Sequence, residues 1–248
     1  SKKACDIVLK LLQDQSAVSG VKSKSMVTEE IVLGSALEDA GIDTIESDLG
    51  EYIVQLAGEP PSHITAPALH RSKESIGRLF TEKLGVDYTD DPKQLTDIAR
   101  RKMRERFIKA QFAISGANFM VAETGHIAIV ENEGNAKMGL SLPPLYIVIA
   151  GLDKFVEKVA DLAPIMKLLA PSATGQRATT YLHLLKPGRQ GEDGPARMHL
   201  IVLDNGRREA MEDPRYREMM LCIRCGACLN ICPVYRSVGG HAYGSVYP

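Results

Sequence analysis

The chain has 248 residues, 44% apolar and 25% charged, with a formal net charge of −1. That balance describes one large globular domain, alone or with a small appendage, and enough apolar residues for a sizeable core. Near-neutral charge argues against non-specific nucleic-acid binding, and the longest apolar run, Leu145–Leu152, is far too short to span a bilayer. No charged-then-apolar leader opens the chain, and four of the five cysteines are clustered. Such usage suits a reducing compartment, which predicts a cytoplasmic protein without transmembrane segments.

Residues 2–14 carry Ala4, Ile7, Val8, Leu11 and Leu12 at helical spacing. This helix starts at Ser1 without a cap, which predicts a chain that begins inside a longer protein. Residues 17–21 read as a short strand and residues 26–40 as a helix that stops at Gly41. Between them lie Lys22, Ser23, Lys24 and Ser25. Free helix amides, two hydroxyls and two ammonium groups then converge in an anion-binding geometry. Glu29 and Glu30 suit the helix dipole but compete with an anion, and a capped helix start with solvated lysines explains the same residues.

Residues 42–46 and 51–56 are strand-like runs separated by Asp48-Leu-Gly50, and Gly58-Glu-Pro60-Pro61 is a hard break. Residues 63–67 form a short extended piece. Ser72 caps a helix that runs to Leu84 and ends at Gly85. Asp91-Pro92 opens another, running to Ala110. Its Arg100, Arg101, Lys102, Arg104, Arg106 and Lys109 make a solvated face or a docking face for a partner subunit.

From Phe112 to Asn135, two extended runs flank turns rich in Ser, Gly, Asn and Thr. Polar strand ends are where ligands bind in open α/β sheets, which nominates Asn118, Glu123 and Thr124. Hairpin chemistry at Gly116, Gly125 and Gly134 is the alternative, and His126 is given no role. Residues 145–150 read as a buried strand, 153–169 as a long helix and 171–176 as a polar loop. A strand at 179–185, a surface loop at 186–195 and a strand at 198–203 follow. Asp204-Asn205-Gly206 turns the chain toward a helix at 214–221. The alternation predicts an α/β fold with a largely parallel sheet flanked by helices.

Cys222, Cys225, Cys228 and Cys232, followed by Pro233, have the spacing C-x2-C-x2-C-x3-C-P. That is the bacterial ferredoxin run for a 4Fe–4S cluster, in which the fourth cysteine of a two-cluster protein ligates the other cluster. The first three thiolates therefore need a partner from a second run, and no cysteine follows Cys232. A zinc knot and free thiols are the alternatives; zinc sites usually add a distant second pair, which Cys5 does not supply. Arg224, between two ligands, raises a cluster's potential if it stays close and does nothing if it is solvated.

These residues resemble the lactate utilization protein B family over nearly the whole chain. The resemblance is carried by Val21–Ile31, Asp48–Tyr52, Gln55–Ile64, Ser115–Phe119, Ala122–Gly125, Ser172–Gln176 and Leu203–Arg207, and by Cys222–Tyr235 with Gly239–Pro248. It implies a LUD α/β domain over residues 1–212, N-terminally truncated and similar to the NagB/RpiA/CoA-transferase-like fold. Residues 213–248 would then be the start of a ferredoxin-like C-terminal domain. Members of the family take part in oxidising L-lactate to pyruvate beside two companion proteins, one with further iron–sulfur motifs and one with another LUD domain. The resemblance therefore implies two 4Fe–4S clusters in the full-length protein, incomplete or absent in this chain, and no activity of the chain alone.

Three functions compete. The first is an iron–sulfur electron-transfer subunit of an L-lactate-oxidising complex, with Cys222, Cys225 and Cys228 on one cluster and Cys232 on the other. The second makes the LUD domain a small-molecule site, in which Lys22, Ser23, Lys24 and Ser25 hold a carboxylate or phosphate opposite Asn118, Glu123 and Thr124. The fold resemblance adds an acyl-CoA transferase variant with Glu131 as nucleophile. The third is a docking scaffold for the ferredoxin-type domain.

Overall fold

The computed structural model describes residues 1–186 and 194–243. Helix α1 (Lys2–Asp14) leads into strand β1 (Ser19–Lys22), then α2 (Met26–Glu30), α3 (Leu33–Asp39) and β2 (Asp43–Glu46). Helices α4 (Leu49–Ala57), α5 (Lys73–Leu84) and α6 (Pro92–Lys109) follow, and lead to β3 (Phe112–Gly116). Next come β4 (Phe119–Val121), β5 (Ile127–Glu131), α7 (Asn135–Ser141), β6 (Leu145–Gly151) and β7 (Phe155–Val156). The chain continues through α8 (Leu162–Thr174), β8 (Tyr181–Leu185), β9 (Arg197–Leu203) and α9 (Arg207–Glu212), then α10 (Ala227–Ile231) and α11 (Pro233–Val238).

Five strands form one all-parallel sheet in the order β2-β1-β3-β6-β9. Strand β6, paired on both edges, is buried along its whole length, as a strand covered on both faces must be. Alternation sorts its neighbours. Ala113, Tyr146 and Val148 face α4, α5 and α6, where Tyr52, Phe80, Leu95, Met103 and Phe107 pack. Phe112, Ile114, Leu145, Ile147 and Ile149 face α1 and α3, against Val8, Leu12, Leu33 and Leu37. The α/β fold with a parallel sheet flanked by helices is therefore what the chain adopts. A second sheet, β7-β4-β5-β8, mixes parallel and antiparallel pairs. It packs on α8 through Phe119, Val121, Ala128 and Leu162.

Several local expectations are corrected. Residues 51–56 belong to helix α4, because the Asp48 side chain accepts from Gly50 N and Glu51 N and Gly58 closes the helix at φ 66°. The helix expected over 26–40 breaks at Val32, whose φ is 55°. That break frees the Ile31 carbonyl to accept from the Cys5 thiol and leaves Glu30 paired with Arg207. Here tertiary partners outweigh local periodicity. The helix expected from Asp153 starts only at Leu162, because Asp153 and Lys154 are buried ion partners and β7 pairs with β4. It then runs through Pro171, so residues 171–174 are helical, not loop. Residues 63–67 form a tight loop, in which His63 Nδ1 accepts from the amides of Thr65 and Ala66. At 214–221 there is a turn and a 3-10 segment, Arg217–Leu221, in place of a longer helix. Most of the loop expected at 186–195 lies outside the described residues. No described helix is long and apolar enough to cross a membrane.

Candidate functional site at the strand C-termini

In the parallel sheet, β2 and β3 lie on opposite sides of β1, so the loops leaving β1 and β3 diverge. Such a switch point opens a crevice at the carboxyl ends of the strands. A cleft of about 290 Å³ lies there. It is lined by Ser23, Lys24 and Ser25 after β1, Ser47 and Asp48 after β2, and Gly116, Ala117 and Asn118 after β3. Lys154 after β6 and Arg207 after β9 complete the floor.

The floor is an ionic lattice. Arg207 grips Glu30 with both terminal nitrogens, at 2.8 and 2.6 Å, and turns its Nε to Asp153 at 2.6 Å. Asp153 also pairs with Lys154 at 2.7 Å. Hydrogen bonding to Glu30 raises the Arg207 pKa. Burial would raise the Asp153 carboxyl, but Lys154 and Arg207 outweigh it and hold the group below its ordinary value. These charges are therefore committed to one another.

Of the residues expected to hold an anion, Ser23, Lys24, Ser25 and Asn118 do line the cleft. Lys24 Nζ donates to the Thr65 carbonyl at 3.2 Å and lies 3.9 Å from Asp48. Lys22 does not line it. Its Nζ is buried beneath the floor, 2.6 Å from Glu46 and 3.0 Å from Glu29, and donates to Thr28. Burial alone would push this ammonium down, but the two carboxylates outweigh it and raise its pKa. Nearby Glu51 makes no such pair, and burial pushes its carboxyl up to about 8, with Glu46 adding to the effect. Glu123 and Thr124 also fall outside the cleft, in the β4–β5 turn, where Thr124 Oγ1 lies 2.8 Å from His126 Nδ1. The reason is that β4 leaves the main sheet for the second one.

Glu131 lines the cleft, but both carboxylate oxygens are occupied. Oε2 accepts from Ala136 N, while Oε1 accepts from Lys137 N and lies 2.7 Å from His183 Nε2. This carboxylate caps α7, which leaves little of it for the nucleophile's role.

The cysteine run crosses the cleft mouth, and Ile223, Arg224 and Cys225 line the same cavity as Lys24 and Asn118. The run is held at both ends. Lys154 Nζ donates to the Cys222 carbonyl at 2.7 Å, and Ile223 packs on the core of the second sheet. Farther along, Tyr235 Oη donates to the Ser62 carbonyl at 2.7 Å, and Gly240 sits so close to Ser62 that a Cβ would strike its backbone. Cys232 caps α11, its sulfur 3.5 Å from Tyr235 N, and Cys228 is exposed. None of the cysteines is in a disulfide. Among the described residues no group of three or more His, Cys, Asp or Glu side chains is placed to hold a metal ion.

Lys154, Arg207, Ser47 and Asp48 were not singled out from the sequence as site residues. Each follows the end of a parallel strand, and that rule would have found them once β2, β6 and β9 were placed.

The LUD domain family model matches residues 1–203. A protein named Lactate utilization protein B from Bacillus cytotoxicus is 46% identical over 248 residues, which is 100% of this chain and 52% of that protein. One of the same name from Bacillus cereus is 45% identical over 247 residues, 99% of this chain and 52% of its own length. The chain thus spans about half the length of the curated relatives it matches. A crystal structure of a DUF162 family protein from Deinococcus radiodurans is 14% identical, with a TM-score of 0.35 over 82% of this chain and 98% of that one. By the match over residues 1–203, the chain belongs to the LUD domain family.

Proposed function

We propose that the chain is part of a cytoplasmic lactate-utilisation protein that passes electrons from L-lactate oxidation to iron–sulfur clusters, alongside companion subunits. The supporting observation is the C-x2-C-x2-C-x3-C-P run itself, in a chain 45–46% identical to proteins named Lactate utilization protein B. In this reading Cys222, Cys225 and Cys228 serve one 4Fe–4S cluster and Cys232 the other. A second run elsewhere in the longer protein supplies the missing thiolates. Anaerobic reconstitution of the full-length protein with iron and sulfide, followed by EPR after reduction, tests it. Two interacting 4Fe–4S signals are expected; bound zinc without any cluster signal would sink the reading.

We propose further that the cleft holds a small carboxylate or phosphate. Lys24, Ser23, Ser25 and Asn118 gather at the switch-point crevice, where ligands of α/β sheets bind. A cavity of about 290 Å³ suits a small ligand. Calorimetric titration with L-lactate, pyruvate and inorganic phosphate separates this site from a docking scaffold, which would show no saturable binding.

A further inference from the structure

The cleft and the cysteine run are not separate places. Ile223, Arg224 and Cys225 contribute to one cavity with Lys24, Ser25 and Asn118. Cys228 and Cys232 do not line it. Cys225 lies between the Lys154 tether at Cys222 and Gly226, which rests against Thr65 and His63. Gly226 takes φ 77°, and a Cβ there would lie 3.6 Å from Thr65 and 3.7 Å from His63. Arg224 adopts φ 59°, a left-handed backbone that is costly for a residue with a Cβ. Such an outlier persists only where neighbours over-determine it, and here both flanks are docked. Arg224 also brings a cation to the cavity, close enough to act on Glu30.

We propose that Ile223–Cys225 is the closing wall of the cleft, so that a small carboxylate or phosphate bound at Lys24 covers the Cys225 thiol. The proposal rests on the cleft reading made above and adds to it the identity of the wall. Ligand and thiol then share one volume. Occupying the cleft blocks reagents from Cys225, and a group attached to Cys225 blocks the ligand. Both effects are steric consequences of the shared volume. The thiols outside the cavity are untouched by either.

The test is limited alkylation of the cluster-free 248-residue chain with N-ethylmaleimide, read at each cysteine by peptide mass spectrometry. It is run with and without saturating L-lactate, pyruvate or inorganic phosphate, beside calorimetry of the same samples. Any of these anions that binds saturably is expected to slow Cys225 by roughly tenfold or more, with Cys228 unchanged. Chain alkylated at Cys225 is expected to lose that binding, and Lys24→Met to lose both binding and protection. Saturable binding with an unchanged Cys225 rate overturns the wall while leaving the cleft as a site. Equal slowing at Cys228 also overturns it, because it reports a general tightening of the chain. Absence of saturable binding by all three anions overturns the cleft reading and the wall with it.

Discussion

The two sides of the cleft differ in how they are held. On the floor, Glu30 of α2, Arg207 after β9, and Asp153 and Lys154 after β6 are joined by charge-assisted bonds between 2.6 and 2.8 Å. The cysteine segment from Cys222 to Val238 buries only Gly226 and Leu229, and leaves Ile231, Val234 and Val238 exposed. It hangs on a few contacts, notably Lys154 to Cys222 and Tyr235 to Ser62. Regions with few buried apolar contacts open at lower free energy than the cores they rest on. The molecule thus pairs a preorganised floor with a wall that can give way locally, and the wall carries the thiols.

That contrast is most exposed to failure at Arg207. Replacing it by Met leaves Glu30 and Asp153 short of a buried cation, and breaking such a pair costs about 3–5 kcal/mol. Denaturant unfolding should show that loss; a change below about 1 kcal/mol would mean the floor is not locked. Glu51 gives the next effect, through pH. Its carboxyl is pushed up to about 8 in the fold from an ordinary value of 4.5. The native state therefore favours the protonated form, and the stability it contributes below pH 4.5 is lost as pH rises through about 8. Glu51→Gln removes that loss, so its stability gain over the parent should grow from pH 5 to pH 8, on the order of 2–4 kcal/mol at the upper end. A pH-independent difference in Tm would remove the argument.

Lys154 joins the two sides. Lys154→Met should cost about 1.5–3 kcal/mol, the range for hydrogen bonds to charged groups, and should speed alkylation of Cys222. Stability loss without faster Cys222 labelling would show that the tether does not hold the run. Tyr235→Phe should be the smallest change, about 1 kcal/mol and confined to the wall. Faster amide exchange across 222–243 with an unmoved global Tm would match it, whereas a falling global Tm would show the wall to be part of the core.

The same contrast decides what could be read from the sequence. Strands buried on both faces, such as Leu145–Gly151, announce themselves as apolar runs, and Ser72 and Asp91 mark helix starts that the structure keeps. Elements fixed by distant partners did not announce themselves. Asp153-Lys154 looks helical until Arg207, 54 residues on, is seen to bind it, whereas Tyr52-Ile53-Val54 looks like a strand although its helix cap, Asp48, is local. The loop after β1 was legible as part of the cleft because Ser23, Lys24 and Ser25 are adjacent in sequence. Arg207 joins the floor from 177 residues beyond Glu30, and no local pattern encodes that distance. Glu123 and Thr124 lie outside the cleft for the converse reason: the strand before them, β4, belongs to the second sheet. The position of Cys225 in the cleft had no sequence signal at all.

The most direct measurement is calorimetric titration of the chain and of Lys24→Met with L-lactate, pyruvate and inorganic phosphate. The cleft account predicts saturable one-site binding of at least one anion by the parent chain, weakened by roughly tenfold or more in Lys24→Met, as losing one charge-assisted bond implies. Equal binding by both proteins, or no saturable heat with any of the three, would contradict it.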